Sequence, residues 1–269
     1  MAEKTFLLGV GAQKAGTTWL SYYLSSSARI ATFGNLKEYH VWDALHLPLC
    51  RTRLVSKQDT RANTDLSIRF HMQQSPDYYF DFFTSLMDGQ SRPLAFDITP
   101  SYAGLSREIF KAIQGGFAAR EVGTKAIFLM RDPVERCWSN VRKMNFTKAG
   151  RTTVTEEEVV SHALSEAAEM RMRYDLTIAE LEAAFPSEAL YCGLYEEIFV
   201  LKDVSRISDF CMVEARPALL EKSVFGSPKE MPLSDDAAGK IARHYRSVYE
   251  FAAKRFPCSL DLWTSNRYL

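Results

Sequence analysis

A run of nine residues near the start of the chain has the composition of a phosphate-binding loop. The segment GAQKAGTTW (11–19) follows the apolar stretch 5–10 and contains two glycines, one lysine and two threonines. A strand, a glycine-bounded loop and a helix start, in that order, turn backbone N–H groups toward an anion. The segment therefore predicts a phosphate site, although a simple turn and helix N-cap would be the ordinary alternative.

The loop differs from the P-loop of kinases and ATPases in the position of its lysine. Gly11 and Gly16 have P-loop spacing, but Thr17 stands where the P-loop lysine belongs, and the lysine of this loop is Lys14. Kinases and ATPases also use a Mg²⁺-binding hydroxyl and a metal-binding aspartate. Here the apolar run that could end in such an acid ends in Arg131. These differences favour a site that binds phosphate without a metal.

A second candidate phosphate site follows another predicted strand. The stretch TKAIFLM (124–130) is typical of a buried strand, and RDPVERCWSN follows it. Asp132 suits a helix N-cap, and the proline after it suits the first turn. Arg131 then lies at the carboxyl end of the strand, and Ser139 lies about two turns along the helix. Two strand–loop–helix units whose loops both offer phosphate ligands predict a ligand with phosphates at two places. An Arg–Asp ion pair and a surface serine are the ordinary alternative.

Together the two segments resemble the sulfotransferases that use 3′-phosphoadenosine 5′-phosphosulfate (PAPS). In that family a loop of the form Pro/Gln-Lys-x-Gly-Thr-Thr-x-Leu holds the 5′-phosphosulfate. A strand followed by Arg-Asp-Pro-x-x-Arg-x-x-Ser holds the 3′-phosphate through its arginine and its serine. Both patterns occur here without gaps, at 13–20 and at 131–139. The resemblance implies PAPS as cosubstrate, sulfuryl transfer to a hydroxyl or amine, and no metal.

The resemblance also assigns the donor contacts. Lys14 would neutralise the leaving phosphate, and Trp19 would pack on the adenine, although a core tryptophan is the ordinary alternative. Tyr195, in LYEE (194–197), matches a tyrosine of the family that lies near the adenine. The expected donor-binding residues are Lys14, Ala15, Gly16, Thr17, Thr18, Trp19, Arg131, Ser139 and Tyr195.

Two candidate bases occur in KEYHVWD (37–43). This stretch resembles the Lys-Glu-x-His-Phe-Phe-Asp segment of heparan sulfate sulfotransferases and bacterial relatives, where the glutamate is the catalytic base. Glu38 matches that glutamate. His40, with an ordinary pKa near 6.5, is the other candidate, as in the steroid and phenol branch. The resemblance favours Glu38 as base with His40 orienting it or the acceptor; an exposed charged loop is the ordinary alternative.

Two departures from the family pattern concern anion contacts. Ile98 stands where heparan-type enzymes carry a lysine before Thr-Pro-x-Tyr. The segment KSVFGS (222–227) replaces the Lys-Gly-x-x-Gly loop of cytosolic members, with Lys222 or Ser223 as weak substitutes. The stretch 48–83, which includes four arginines and the aromatic residues 78–80, is expected to cover the acceptor opening. A small glycan, glycolipid or hydroxylated metabolite is the expected acceptor.

The remaining segments must form the elements that position these residues. Strands are predicted near 5–10, 93–97, 124–130 and 189–193. Helices are predicted over 17–26, 76–86, 104–113, 132–147, 155–184 (with a break possible), 196–211 and 234–255. This alternation predicts an α/β fold with a central parallel sheet flanked by helices, in which ligands bind at the carboxyl ends of the strands.

Composition narrows the remaining choices. A chain of 269 residues that is 46% hydrophobic suits one domain over 1–269. With 33 basic and 33 acidic side chains there is no basic stripe for nucleic acid. The five cysteines lack metal spacing, the first strand begins close to Met1, and no run approaches the roughly 20 apolar residues of a membrane helix. We therefore expect a cytoplasmic enzyme; a nucleotide kinase using ATP–Mg²⁺ and a non-catalytic adenine-nucleotide-binding protein are the alternatives.

Overall fold

A four-stranded parallel sheet forms the centre of the molecule. The structure is a computed structural model that describes residues 3–61, 63–149, 154–199, 201–219 and 233–269. The strands are β1 (Lys4–Gly11), β2 (Leu94–Ile98), β3 (Val122–Met130) and β4 (Leu190–Leu194). Their order in the sheet is β2-β1-β3-β4, and each neighbouring pair is parallel. β1 and β2 are buried along almost their whole length, as is typical of a sheet covered on both faces. The predicted fold class is confirmed.

Helices surround this sheet. Within the described ranges they are α1 (Thr17–Ser25), α2 (Trp42–His46), α3 (Thr64–Gln74), α4 (Pro76–Gly89), α5 (Arg107–Ala118), α6 (Pro133–Ala149), α7 (Glu156–Ala163), α8 (Glu166–Met172), α9 (Tyr174–Ala184), α10 (Leu201–Phe210), α11 (Asp235–His244), α12 (Arg246–Arg255) and α13 (Ser259–Leu262). Phe6 of β1 packs on Phe83 of α4 and Phe117 of α5, with ring centroids 4.7 and 4.1 Å apart. Buried aromatic contacts of this kind fix β1 against its helices, and so fix the loop that follows it.

All four predicted strands are confirmed, but several predicted helices are shorter or divided. The helix predicted over 155–184 is three helices, because the Ser165 side chain caps a new helix at the Ala168 N–H. The helix predicted over 234–255 divides at Tyr245, whose hydroxyl donates to the Ala163 carbonyl. Residues 195–199 form turns rather than the start of the helix predicted over 196–211. In the first two cases a local cap or a tertiary contact overrides the apolar periodicity.

Two further differences lie between β1 and β3. Helices α2 and α3 were not predicted, because α2 has only five residues and α3 mixes polar and apolar residues without a strong helical periodicity. The helix predicted over 104–113 begins only at Arg107, since Pro100–Gly104 forms a 3₁₀ helix. These elements lie next to the segment that contains both candidate bases.

The carboxyl ends of the four strands meet the predicted site segments. The loop 11–16 follows β1, Arg131 follows β3 and Tyr195 follows β4. The Ile98 N–H at the end of β2 donates to the Lys37 carbonyl over 2.8 Å, which places the segment 37–43 beside that edge. One edge of the sheet therefore positions both motifs and both candidate bases.

Candidate active site

Arg136 of α6 holds the phosphate-binding loop in place. Its guanidinium is fully buried and donates from Nε to the Gln13 carbonyl over 3.1 Å and from Nη2 to Gln13 Oε1 over 2.8 Å. A buried charge that makes two such bonds fixes both the backbone and the side chain of the loop. The sequence placed Arg136 inside the second motif but assigned it no role. Its place in the motif is the signal that could have identified it.

Gly16 allows the loop to turn sharply into α1. Its φ is +82°, and a Cβ atom there would lie 2.7 Å from Ile198 Cδ1 and 3.0 Å from Tyr195 Cδ2. Glycine is therefore required both by the backbone and by the close approach of its neighbours. The first turn of α1 has no acidic residue and Gly16 provides no side-chain cap. The N-terminus of α1, which begins at Thr17, is thus suited to an anion.

Positive charge is concentrated around Lys14. The Lys14 side chain is half-buried, and the Lys14 backbone carbonyl accepts a 3.1 Å hydrogen bond from Arg131 Nη1. Burial lowers the pKa of Lys14, and the nearby positive charges of Lys143, Arg131, Arg142 and Arg136 lower it further, to about 8. A chain of zero formal net charge therefore has a local basic site at the predicted phosphate loop.

Arg131 joins the two predicted phosphate motifs. Its guanidinium lies over the Tyr195 ring at 4.5 Å, and Nη2 donates to Glu135 Oε2 over 3.3 Å. Asp132 does not pair with it: Asp132 Oδ1 caps α6 by accepting from the Val134 N–H over 3.0 Å, as predicted. Ser139 lies on α6 and is 6% exposed. The structure thus brings Arg131, Lys14 and Tyr195 together at one edge.

Trp19 lies in the core beside this cluster. It is 3% exposed, stacks on Tyr23 with centroids 4.9 Å apart, and meets Phe199 edge-on. Its indole N–H donates to the Leu219 carbonyl over 3.4 Å. Contact between Trp19 and an adenine stays a prediction. The segment 222–227 lies outside the described residues.

Glu38 and His40 belong to one chain of polar contacts. Glu38 Oε1 lies 2.6 Å from Lys37 Nζ, and Glu38 Oε2 lies 3.3 Å from His40 Nε2. His40 Nδ1 lies 2.7 Å from Asp43 Oδ2, which also accepts from the Ser101 hydroxyl. Lys37 Nζ donates to Thr18 Oγ1 over 3.2 Å. The sequence did not assign Lys37, which connects the candidate base to the start of α1.

The protonation of this network follows from its contacts. Burial would raise the pKa of Glu38, but the hydrogen bond with His40 and the charge and hydrogen bond of Lys37 lower it to about 2. Burial opposes the charge of His40, but hydrogen bonds to Asp43 and Glu38 raise its pKa above the ordinary value. The Glu38 side chain is 33% exposed, whereas that of His40 is 8% exposed. Glu38 is therefore an ionised and accessible carboxylate, and His40 is enclosed between two carboxylates.

Asp97 supports the loop that contains both candidate bases. It is fully buried at the end of β2 and accepts from Thr99 Oγ1 over 2.6 Å and from the Tyr102 hydroxyl over 2.8 Å. Burial raises the pKa of Asp97 to about 6. Thr99 Oγ1 in turn accepts from the Tyr39 N–H over 3.0 Å. Neighbouring Ile98 is fully buried, and its N–H pairs with the Lys37 carbonyl.

The predicted acceptor cover lies partly over this network. Arg69 Nη2 donates to the Glu38 carbonyl over 2.8 Å. Tyr79 and Phe80 are buried and belong to the helix core, whereas Tyr78 is 38% exposed. Two surface cavities of about 260 and 230 Å³ lie beside α8; Pro48 and Leu49 of the predicted cover line the smaller one, and none of the predicted donor-binding residues or candidate bases lines either.

Two further properties hold for the described part of the chain. Its His, Cys, Asp and Glu side chains form no group of three or more that could hold a metal ion. None of its helices combines the length and the apolar composition needed to cross a membrane.

The fold is similar to that of two solved sulfotransferase structures. A sulfotransferase from Alicyclobacillus acidocaldarius is 20% identical over 94% of this chain and 96% of that chain, with a TM-score of 0.54. A sulfotransferase domain from the curacin biosynthetic pathway is 16% identical over 83% of this chain and 79% of that domain, with a TM-score of 0.53. No protein-family model and no curated protein matches the sequence. The chain therefore has the sulfotransferase fold, as the two motifs predict.

Proposed function

We propose that this protein is a PAPS-dependent sulfotransferase that acts on a hydroxyl or amine of a small-molecule or carbohydrate acceptor. The observation that supports this most strongly is the path of contacts from the phosphate loop to a base. The loop leads into α1 at Thr18, Thr18 contacts Lys37, and Lys37 contacts Glu38. A group bound at the N-terminus of α1 thus lies next to an ionised carboxylate.

The donor half of the proposed site binds the two phosphate positions of PAPS. Lys14 and the N-terminus of α1 hold the 5′-phosphosulfate, and Arg131 with Ser139 holds the 3′-phosphate. Fixed positive groups stabilise the charge that grows on the leaving phosphate during transfer, as they do in phosphoryl transfer. We propose that this chemistry needs no metal and therefore continues in the presence of EDTA.

The acceptor half supplies the base. The acceptor oxygen attacks sulfur, the bond between sulfur and the phosphate oxygen breaks, and the acceptor proton passes to the Glu38 carboxylate. Adenosine 3′,5′-bisphosphate leaves, and a sulfate ester forms. Lys37 lies between Glu38 and Thr18, so its ammonium can offset the charge on the sulfuryl oxygens.

Charge state and exposure favour Glu38 over His40 as the base. The raised pKa of His40, whose nitrogens both contact carboxylates, keeps it protonated to a higher pH than a free histidine, and its side chain is 8% exposed against 33% for the ionised Glu38. An imidazolium in that position cannot accept a proton from the acceptor. We propose that His40, fixed by Asp43, orients Glu38.

Label transfer from PAPS tests this function. The protein is incubated with ³⁵S-labelled PAPS and pools of small hydroxylated and amino compounds, in buffer containing EDTA. We expect a labelled organic product that requires both protein and acceptor, and that is lost in Lys14→Ala. Transfer of phosphate from ATP–Mg²⁺ by the same protein, with no label transfer from PAPS, would show a kinase instead.

A further inference from the structure

Two arginines beside the proposed base have guanidinium nitrogens without a partner. Arg69 of α3 uses Nη2 to bind the Glu38 carbonyl, and Arg171 of α8 uses Nη1 to bind the Ala167 carbonyl over 2.5 Å. The Nε atom of each is buried and has no hydrogen-bond partner among the described residues. Buried cationic donors are costly to leave unpaired, so their retention points to a ligand.

The contacts of Arg171 place it on the acceptor side of the network. Its Nη2 lies 3.8 Å from Cys50 Sγ, which is a weak acceptor. Burial lowers the pKa of Arg171, and the positive charges of Arg136 and Arg53 act in the same direction, whereas Cys50 and Asp43 act against them. Burial and Arg53 likewise lower the pKa of Arg69, opposed by Asp97 first and then by Asp43. Arg53, Arg69 and Arg171 thus share one neighbourhood around Asp43.

Most carboxylate oxygens of this neighbourhood already have partners, although Asp43 Oδ1 is buried and has none among the described residues. Glu38 contacts Lys37 and His40, and Asp43 contacts His40 and the Ser101 hydroxyl. Arg53 is exposed at the end of the 3₁₀ helix Pro48–Arg53, and its carbonyl accepts from Gln73 Nε2, which also binds the His40 carbonyl. The cations Lys37, His40, Arg53, Arg69 and Arg171 therefore outnumber the carboxylates Glu38, Asp43 and Asp97 beside the base.

We infer that the acceptor carries a compact oxyanion, such as a carboxylate, phosphate or sulfate group, close to the hydroxyl or amine that is sulfated, and that Arg69 and Arg171 bind it with Arg53 at the rim. This inference rests on the proposed sulfotransferase function. Arginine suits this role because its planar donors match an oxyanion and stay charged. Partial burial of Arg69 and Arg171 favours a single small anion over a long polyanion.

Inorganic phosphate provides a probe for this site. The protein is first saturated with adenosine 3′,5′-bisphosphate, which occupies the proposed donor contacts, and is then titrated with phosphate by calorimetry. Arg69→Gln, Arg171→Gln and Arg53→Gln are compared with wild type. Arg255→Gln is the matched control, because Arg255 is an exposed arginine of α12 paired with Glu182.

We expect wild type to bind one phosphate in addition to the bisphosphate. Arg69→Gln and Arg171→Gln should each weaken phosphate binding by about ten-fold or more, the usual effect of losing one charge-assisted contact. Arg53→Gln should weaken it less, Arg171→Lys should retain part of it, and Arg255→Gln should leave it unchanged. Bisphosphate affinity should stay the same in all variants, which also shows that they are folded.

Two results would overturn the inference. One is the absence of a second phosphate in bisphosphate-saturated wild type. The other is phosphate binding as tight as in wild type, both in Arg53→Gln and in each folded variant among Arg69→Gln and Arg171→Gln. Failure of the proposed function looks different: the bisphosphate would not bind, whereas phosphate binding would still depend on Arg171.

Discussion

Raising the pH above 8 should weaken the binding of adenosine 3′,5′-bisphosphate, because Lys14 loses its proton there. Burial and the surrounding cations lower the pKa of Lys14 from 10.5 to about 8 in the free protein. A bound phosphate stabilises the ammonium form, so the ligand binds the protonated protein more tightly. The affinity should therefore fall as pH rises.

The size of the effect follows from the lowered pKa of Lys14. With a pKa of about 8, roughly nine-tenths of Lys14 is protonated at pH 7 and roughly one-tenth at pH 9. If binding requires the ammonium, the affinity should drop by about ten-fold over this range. The phosphates of the ligand, with a second pKa of about 6, are already about nine-tenths in the dianionic form at pH 7, so the ligand itself contributes little to the change.

Calorimetric titrations at pH 7, 8 and 9 measure this change in wild type and in Lys14→Arg. The guanidinium stays charged over the whole range, so Lys14→Arg should show a nearly flat profile. A flat profile in wild type would refute the reasoning about Lys14. So would an equal drop in Lys14→Arg, because another group would then be titrating.

Three further predictions concern other contacts of the site. Glu38→Gln should keep bisphosphate affinity but lower turnover by about 10²–10⁴-fold, measured by label transfer. If Glu38→Gln turned over at a near-normal rate and His40→Ala were inactive, the histidine would be the base. Arg131→Ala should weaken bisphosphate binding, measured by calorimetry, about ten-fold more than Ser139→Ala, because a charged donor is lost in place of a neutral one; equal affinity in wild type and Arg131→Ala would place the 3′-phosphate elsewhere. Gly16→Ala should lower both the melting temperature and bisphosphate affinity, since its Cβ would meet Ile198 and Tyr195; unchanged values would contradict the close packing of the loop.

The sheet and the helix after β3 could be predicted from sequence because their signals are local. Each strand is a short apolar run, and the N-cap of α6 combines Asp132 with a following proline. The phosphate loop was recognisable for the same reason, since its glycines, lysine and threonines are adjacent. For the strands and the start of α6 the information lay within about ten residues, and prediction and structure agree there.

The rest depends on contacts between residues that are distant in sequence. Arg136 reaches Gln13 across 123 positions, and Arg171 reaches Cys50 across 121. No local pattern shows that either pair will meet. The division at Tyr245 likewise depends on a hydrogen bond to Ala163. Contacts such as those of Arg136 and Arg171 therefore follow from the packing of distant elements and not from any local sequence pattern.

Calorimetry with two nucleotides tests the proposed donor most directly. Wild-type protein is titrated in parallel with adenosine 3′,5′-bisphosphate in EDTA and with ATP in the presence of Mg²⁺. We predict tight binding of the bisphosphate, much weaker binding of ATP–Mg²⁺, and loss of the bisphosphate signal in Arg131→Ala. Micromolar binding of ATP–Mg²⁺ with no response to the bisphosphate would contradict the assignment of PAPS as the donor.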